Sequence, residues 1–234
     1  MTHFIIFHNR QKKIDIVPKI IIDKNNIDQV RSTKCLGVHI NENLTWSDHI
    51  SAVLNKTSKN LGIIRKLSKR LSSDILLTLY NALIAPYLDY CNFAWSSRDT
   101  TEFKKLCRVQ KKALSLITGR SWQTHLTPLF KIKRILRLHD INTVQVACFV
   151  YGVVHNTLPA LFRNCLVTNK FIPHHFTRHN ENIHILRCNT NVREFCIKIY
   201  GAKIWNSVPL NIKSATSINN FKQTFRSHLF DLYN

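Results

Sequence analysis

The chain has 234 residues, 44% hydrophobic and 10% aromatic, so it can build a core and is too apolar for a disordered tail. Lysine and arginine number 34 against 13 aspartate and glutamate, a net charge of +21. A field of that sign concentrates polyanions, which puts nucleic acid first among partners and an anionic membrane surface second. Five glycines and six prolines favour long helices over many short strands. No apolar run approaches the roughly 18 residues of a membrane span, and Thr2 to Phe7 is too short for a signal peptide. The seven cysteines, Cys35, Cys91, Cys107, Cys148, Cys165, Cys188 and Cys196, are irregularly spaced with no CxxC. They read as reduced residues of an intracellular protein, cytoplasmic or nuclear.

In chain order, the first elements are strands. Phe4 to Phe7, Ile14 to Val17, Ile20 to Ile22 and Cys35 to Ile40 are short, β-prone runs, and they predict a small antiparallel sheet with its first strand on an edge. From Ser47 the period becomes helical. Ser47 or Asp48 can cap, and Ile50, Val53, Leu54, Leu61, Ile64 and Leu67 recur at three- and four-residue spacing. A second helix starts at Ser73 or Asp74 and presents Ile75, Leu76, Leu79, Tyr80, Leu83, Ile84, Tyr87, Leu88 and Cys91, with Pro86 kinking or splitting it. A third spans 101–118 with Phe103, Leu106, Val109, Gln110, Ala113, Leu114 and Ile117 inward.

Thr127-Pro128 opens a short helix ending near Arg134, and Asp140 starts one through Val144, Cys148 and Tyr151. Pro159 opens another short helix. The stretch 167–190 is polar and His-rich and reads as a loop. Val192 to Trp205 is helical, and Ser217 caps a last helix with Phe221, Phe225, Leu229 and Leu232 on one face. The fold class is therefore mainly α: a small N-terminal antiparallel β element (1–46), a helical bundle (47–120) and further C-terminal helices (121–234).

No two acidic residues are adjacent, whereas a two-metal phosphoryl-transfer site needs paired carboxylates. Asp89 reads as a solvated helix residue. The chain contains no GxGxxG, Walker loop, GxSxG or HExxH. His174, His175, His179, His184, Cys188 and Cys196 are zinc-ligand types, but their spacing fits no common finger, and the reading is a basic loop without a metal.

Three runs carry a resemblance. Lys34-Cys35-Leu36-Gly37-Val38-His39-Ile40 is followed by Leu44-Thr45-Trp46 and His49-Ile50. Leu79-Tyr80-Asn81-Ala82-Leu83-Ile84-Ala85-Pro86-Tyr87-Leu88-Asp89-Tyr90-Cys91 is followed by Trp95. Leu106 precedes Gln110-Lys111-Lys112-Ala113 and Ile117. In order, they resemble the region after the catalytic palm in non-LTR (LINE-type) retrotransposon reverse transcriptases, nearest the jockey and chicken-repeat branches. Leu158-Pro159, Arg178, Ile204 to Pro209 and Phe221-Lys222 fit the same order.

The resemblance implies that 1–46 is a palm remnant, with Cys35, Leu36, Gly37 and Val38 in a primer-grip-like strand, and that 47–120 is a thumb. In the family an aromatic-Ala-Asp-Asp turn lies upstream of the strand that Thr2 to Phe7 resembles. The metal-binding aspartates thus carry over to no residue here, and the magnesium of the parent polymerases is assigned no ligand. The expected function is binding of an RNA/DNA template–primer duplex without polymerase activity of its own, with a separate palm and fingers polypeptide as a further partner and no membrane. Lys34, Lys56, Lys66, Lys69, Lys104, Lys105, Arg108, Lys111 and Lys112 are the expected phosphate contacts, which position a duplex without reading its sequence. Trp46, Trp95, Trp205, Tyr87 and Tyr90 are expected in the core. The alternative is a co-opted protein-interaction module with no nucleic-acid role.

Overall fold

A computed structural model describes residues 2–9, 18–96, 100–121, 125–169, 181–188 and 194–233. The expected strand at Ile14 to Val17, and His174, His175, Arg178 and His179, lie outside the described residues. The fold is mainly helical behind a small β element, as the sequence implied.

The β element differs from expectation in detail. β1 (His3–Phe4), β2 (Ile20–Ile22) and β3 (Asn25–Gln29) form a sheet in the order β1-β3-β2, with β2 antiparallel and β1 parallel to β3. Polar Asn25–Gln29 is a strand because Asp23 and Lys24, both at positive φ (48° and 64°), make a two-residue turn that folds it back on β2. The run Cys35 to Ile40 is not one strand. β4 (Ser32–Cys35) and β5 (Val38–Asn41) pair as an antiparallel hairpin turning at Leu36 (φ 46°) and Gly37 (φ 85°). Only glycine adopts such a φ without steric cost, so the apolar run is broken where Gly37 sits. The amide of His8 donates to the Glu42 carbonyl at 3.0 Å and that of Val30 to Phe4 at 2.9 Å, stitching the pieces together.

α1 (Ser47–Leu67) follows. Its N-cap is Trp46 in the left-handed region, without a side-chain cap, and not Ser47 or Asp48. The helix split expected at Pro86 is present: α2 (Ser73–Leu83) stops and α3 (Ala85–Asp89) starts with Pro86 in its first turn, where a missing amide costs nothing. A short α4 (Asn92–Trp95) precedes α5 (Thr101–Thr118), whose buried residues are the seven expected. The Thr100 hydroxyl caps α5 by accepting from the Phe103 amide, and Gly119 ends it in the left-handed region.

α6 (Thr127–Ile132) leads to α7 (Leu138–Val154), which buries residues all round its circumference and is the central helix. After a 3₁₀ turn at Ala160–Phe162 come α8 (Ile197–Ser207), α9 (Leu210–Lys213) and α10 (Ile218–Asp231). Of the helix expected from Val192 to Trp205, residues 192–193 lie outside the described residues, Glu194 is helical, and α8 runs from Ile197 after a break at Phe195 and Cys196. The Ser217 hydroxyl caps α10 as foreseen, but its buried set is Phe221, Phe225, Leu229 and Phe230, with Tyr233 beyond it. Leu232 is 60% exposed instead, because the helix ends at Asp231 and the chain turns Tyr233 inward.

One hydrophobic core runs from Ile50 to Tyr233 and takes side chains from α1 through α10. Among the described residues it does not reach the first strands: Val38 is the first buried residue, while Phe7, Ile21 and Ile22 stay half exposed. No helix among the described residues is long and apolar enough to cross a membrane.

Candidate nucleic-acid interface

The hairpin turn docks on the helical bundle through one tyrosine. Tyr90, just after α3, donates its hydroxyl to the Leu36 carbonyl at 2.6 Å. Its ring lies 3.5 Å from where a Cβ on Gly37 would stand, an ordinary contact, so φ and not space requires glycine there. The Trp95 indole donates to the Tyr90 carbonyl at 2.9 Å, fixing the tyrosine from behind. Leu36 projects into solvent at 86% exposure, and Val38 is buried and anchors the turn. Cys35, Leu36, Gly37 and Val38 are thus a turn seated on the second motif run.

This docking encloses a cleft of about 580 Å³ lined by Lys34 and His39 of the hairpin, His49 and Lys56 of α1, and Pro86, Tyr87 and Tyr90 around α3. Tyr87 and Tyr90 are 37% and 53% exposed and so are not core residues, contrary to expectation. They sit on the cleft wall because α3 breaks from α2 at Pro86 and carries them out of the buried stripe. The Lys56 ammonium lies 5.3 Å from the Tyr87 ring centroid. Trp95 and Trp205 are buried and Trp46 packs against the core, as foreseen.

His49 occupies the floor, 4% exposed. Its ring meets Trp95 edge-on at 5.3 Å. Burial, then the neighbouring His39 and Lys56, hold its imidazole below the ordinary range, so it stays neutral. The unfolded chain binds this proton first, so the contribution is complete above an ordinary imidazole pKa of about 6.5 and is lost as the pH falls below it. Urea midpoints are expected to drop between neutral and mildly acidic pH, and less steeply in His49→Phe; equal slopes would contradict this.

The nine expected phosphate contacts fall into separate groups. Lys34 and Lys56 line the cleft. Lys66 shares the outer face of α1 with Lys56 and Lys59 at helical spacing, and Lys69 lies in the turn after that helix. Lys104, Lys105, Arg108 and Lys111 are exposed on α5, and Lys112 is half-buried there. All of α5's cations lie off the buried Phe103–Ile117 stripe.

A second basic cleft was missed in the sequence. Lys133 and Arg134 after α6, and Lys222 and Arg226 of α10, line a cavity of about 230 Å³ together with Asp89. Desolvation raises the Asp89 carboxyl above its ordinary value against the opposing pull of Arg226 and Lys222. The four-residue spacing of Lys222 and Arg226 was legible, but only the fold brings them beside 133–134.

The magnesium that the resemblance implies for the parent polymerases needs closely set carboxylates. Among the described residues no group of three or more His, Cys, Asp or Glu could hold a metal ion, so no residue is assigned to one. The seven cysteines form no disulfide.

Compared with known proteins, the chain is 28% identical over 127 residues to a "Probable RNA-directed DNA polymerase from transposon X-element" of Drosophila melanogaster. The chain resembles a non-LTR retrotransposon reverse transcriptase. The matched stretch is 53% of this chain and only 14% of the relative's length. No family model matches, and no solved structure matches. The reverse-transcriptase likeness read from three motif runs agrees with this pairwise similarity.

Proposed function

We propose that the chain is a thumb and C-terminal region of a non-LTR-type reverse transcriptase that holds an RNA/DNA template–primer duplex by its phosphates and does not extend a primer alone. The single observation that carries this reading is the docking of the Leu36-Gly37 turn on Tyr90. It sets Lys34 and Lys56 on one cleft, in line with Lys59 and Lys66 of α1. The α5 cations Lys104, Lys105, Arg108, Lys111 and Lys112 supply a second strip for the same backbone. The half-exposed Phe7, Ile21 and Ile22 are where a separate palm and fingers polypeptide would pack. Work on such a template places the chain inside the cell, in cytoplasm or nucleus.

The test is fluorescence anisotropy with a short RNA/DNA duplex across a salt series. The affinity is expected to fall with salt at a log–log slope of about 0.9 per phosphate neutralised. Changing Lys34, Lys56, Lys59 and Lys66 together to glutamine should reduce that slope by about 3 and weaken binding at least tenfold at low salt. Binding that ignores salt, or a slope unmoved by the four substitutions, would defeat the proposal. Primer extension by the purified chain with magnesium would overturn the claim of inactivity.

A further inference from the structure

His49 has a donor with nothing to donate to. Its Nδ1 faces the His39 backbone amide, which donates to it at 3.4 Å. A neutral imidazole with Nδ1 as acceptor carries its proton on Nε2. That Nε2 is buried and has no hydrogen-bond partner among the described residues. Buried polar groups are nearly always paired, and His49, which lines the cleft, leaves this one without a partner.

The cleft above it has the chemistry of a nucleotide. Its volume of about 580 Å³ falls in the range of small-molecule sites, roughly 300–1,000 Å³. Lys34 and Lys56 supply cations for a phosphate, and Tyr87 and Tyr90, 37% and 53% exposed, line the wall, with the Lys56 ammonium over one face of the Tyr87 ring. Bases inside a duplex have both faces covered by their neighbours, so a base lying against these rings is an unpaired or a terminal one. A neutral N–H beneath them suits an uncharged acceptor, a base or sugar oxygen or a ring nitrogen, and not a further phosphate.

We infer that the cleft between the β4–β5 hairpin, α1 and α3 takes one unpaired nucleotide of the bound strand, its phosphate on Lys34 and Lys56, its base on Tyr87 and Tyr90, and an acceptor atom on His49 Nε2. This rests on the duplex-binding reading and names the strand feature that the cleft selects.

The test compares a blunt RNA/DNA duplex with the same duplex carrying a one-nucleotide overhang or bulge, with 2-aminopurine at the unpaired position, on the full chain. Wild type should prefer the unpaired form by about tenfold, within the range of one base–aromatic stack, with a change in 2-aminopurine fluorescence on binding. His49→Phe, which keeps a ring but loses the donor, should bring the preference close to one. His49→Gln, which restores an N–H, should recover most of it. Tyr87→Ala, at an exposed position, should reduce it too and serves if His49→Phe fails to fold. A wild-type ratio near one, or a preference that survives both His49→Phe and Tyr87→Ala, overturns the inference. In that case salt-steep binding of the blunt duplex would leave the broader reading standing, and its absence would remove both.

Discussion

Gln110→Leu is expected to destabilise the folded chain by about 3 kcal/mol, since each buried polar group left without a partner costs roughly 1–3 kcal/mol. Gln110 is 2% exposed at the centre of α5. Its Nε2 donates to the Tyr80 hydroxyl at 3.1 Å and to the Leu136 carbonyl at 2.9 Å, and its Oε1 accepts from the Leu138 amide at 3.0 Å. One side chain thereby ties α2, α5 and the segment entering α7. Leu138 is the first residue of α7, so its amide is one that no helical carbonyl can reach. Arg137, the N-cap, provides no side-chain cap, and Gln110 does that work from another helix. Leucine fits the space and satisfies none of the three groups. Burial already pushes the Tyr80 phenol far above its ordinary range, a sign of how little water reaches the pair.

Equilibrium urea unfolding measures this. Stability of domains this size is about 5–15 kcal/mol, so the midpoint should move by a large fraction. A double-mutant cycle with Tyr80→Phe isolates one arm: the phenylalanine change should cost less in Gln110→Leu than in wild type. Equal costs in both backgrounds would show that the Tyr80–Gln110 bond contributes nothing.

The second large effect is expected at the C-terminal end of the described chain. Tyr233→Ala should cost about 3–5 kcal/mol, the usual range for deleting a buried aromatic side chain. Tyr233 is 2% exposed and packs edge-on against Phe230 at 5.7 Å between centroids. Its hydroxyl donates to the Asp140 carboxylate and accepts from the Arg137 amide at 3.0 Å. The Arg137 guanidinium lies 4.3 Å from its ring centroid and binds Asp140 at 2.8 Å. The tail is therefore latched to the start of α7, beside the point that Gln110 caps.

Tyr233→Phe keeps the packing and loses both hydrogen bonds, so it should cost about 1–2 kcal/mol, less than the alanine effect. If phenylalanine and alanine cost the same, the ring contributes nothing and the latch is purely polar. If neither shifts the urea midpoint, the tail is not part of the cooperative unit. Gln110→Leu and Tyr233→Ala both act at the N-terminus of α7, so their combination should be less than additive.

Much of the helical fold could be read from periodicity. The seven inward residues of α5 follow from three- and four-residue spacing, because a helix shows one face to a core. The break between α2 and α3 follows from Pro86, which has no amide to give. Misreadings fell where a short-range pattern has two solutions. Cys35 to Ile40 is a β-prone run, yet Gly37 permits a positive φ that turns it into a hairpin. Tyr87 sits on the apolar stripe of one continuous helix, and it and Tyr90, both expected in the core, line the cleft once that helix is split. Leu232 and Tyr233 are adjacent, and helix periodicity favours the former until the helix ends at Asp231.

What the residues determined by themselves is the order of elements, the apolar face of each long helix and the excess of positive charge, since all three depend on spacing and composition along the chain. Only the tertiary structure decided which of those charges share a cleft, that His49 lines it and has a buried, unmatched ring nitrogen, and that Gln110 and Tyr233 secure the start of α7. Those facts are distances between residues far apart in the chain, and no local pattern encodes which surfaces meet when a core closes.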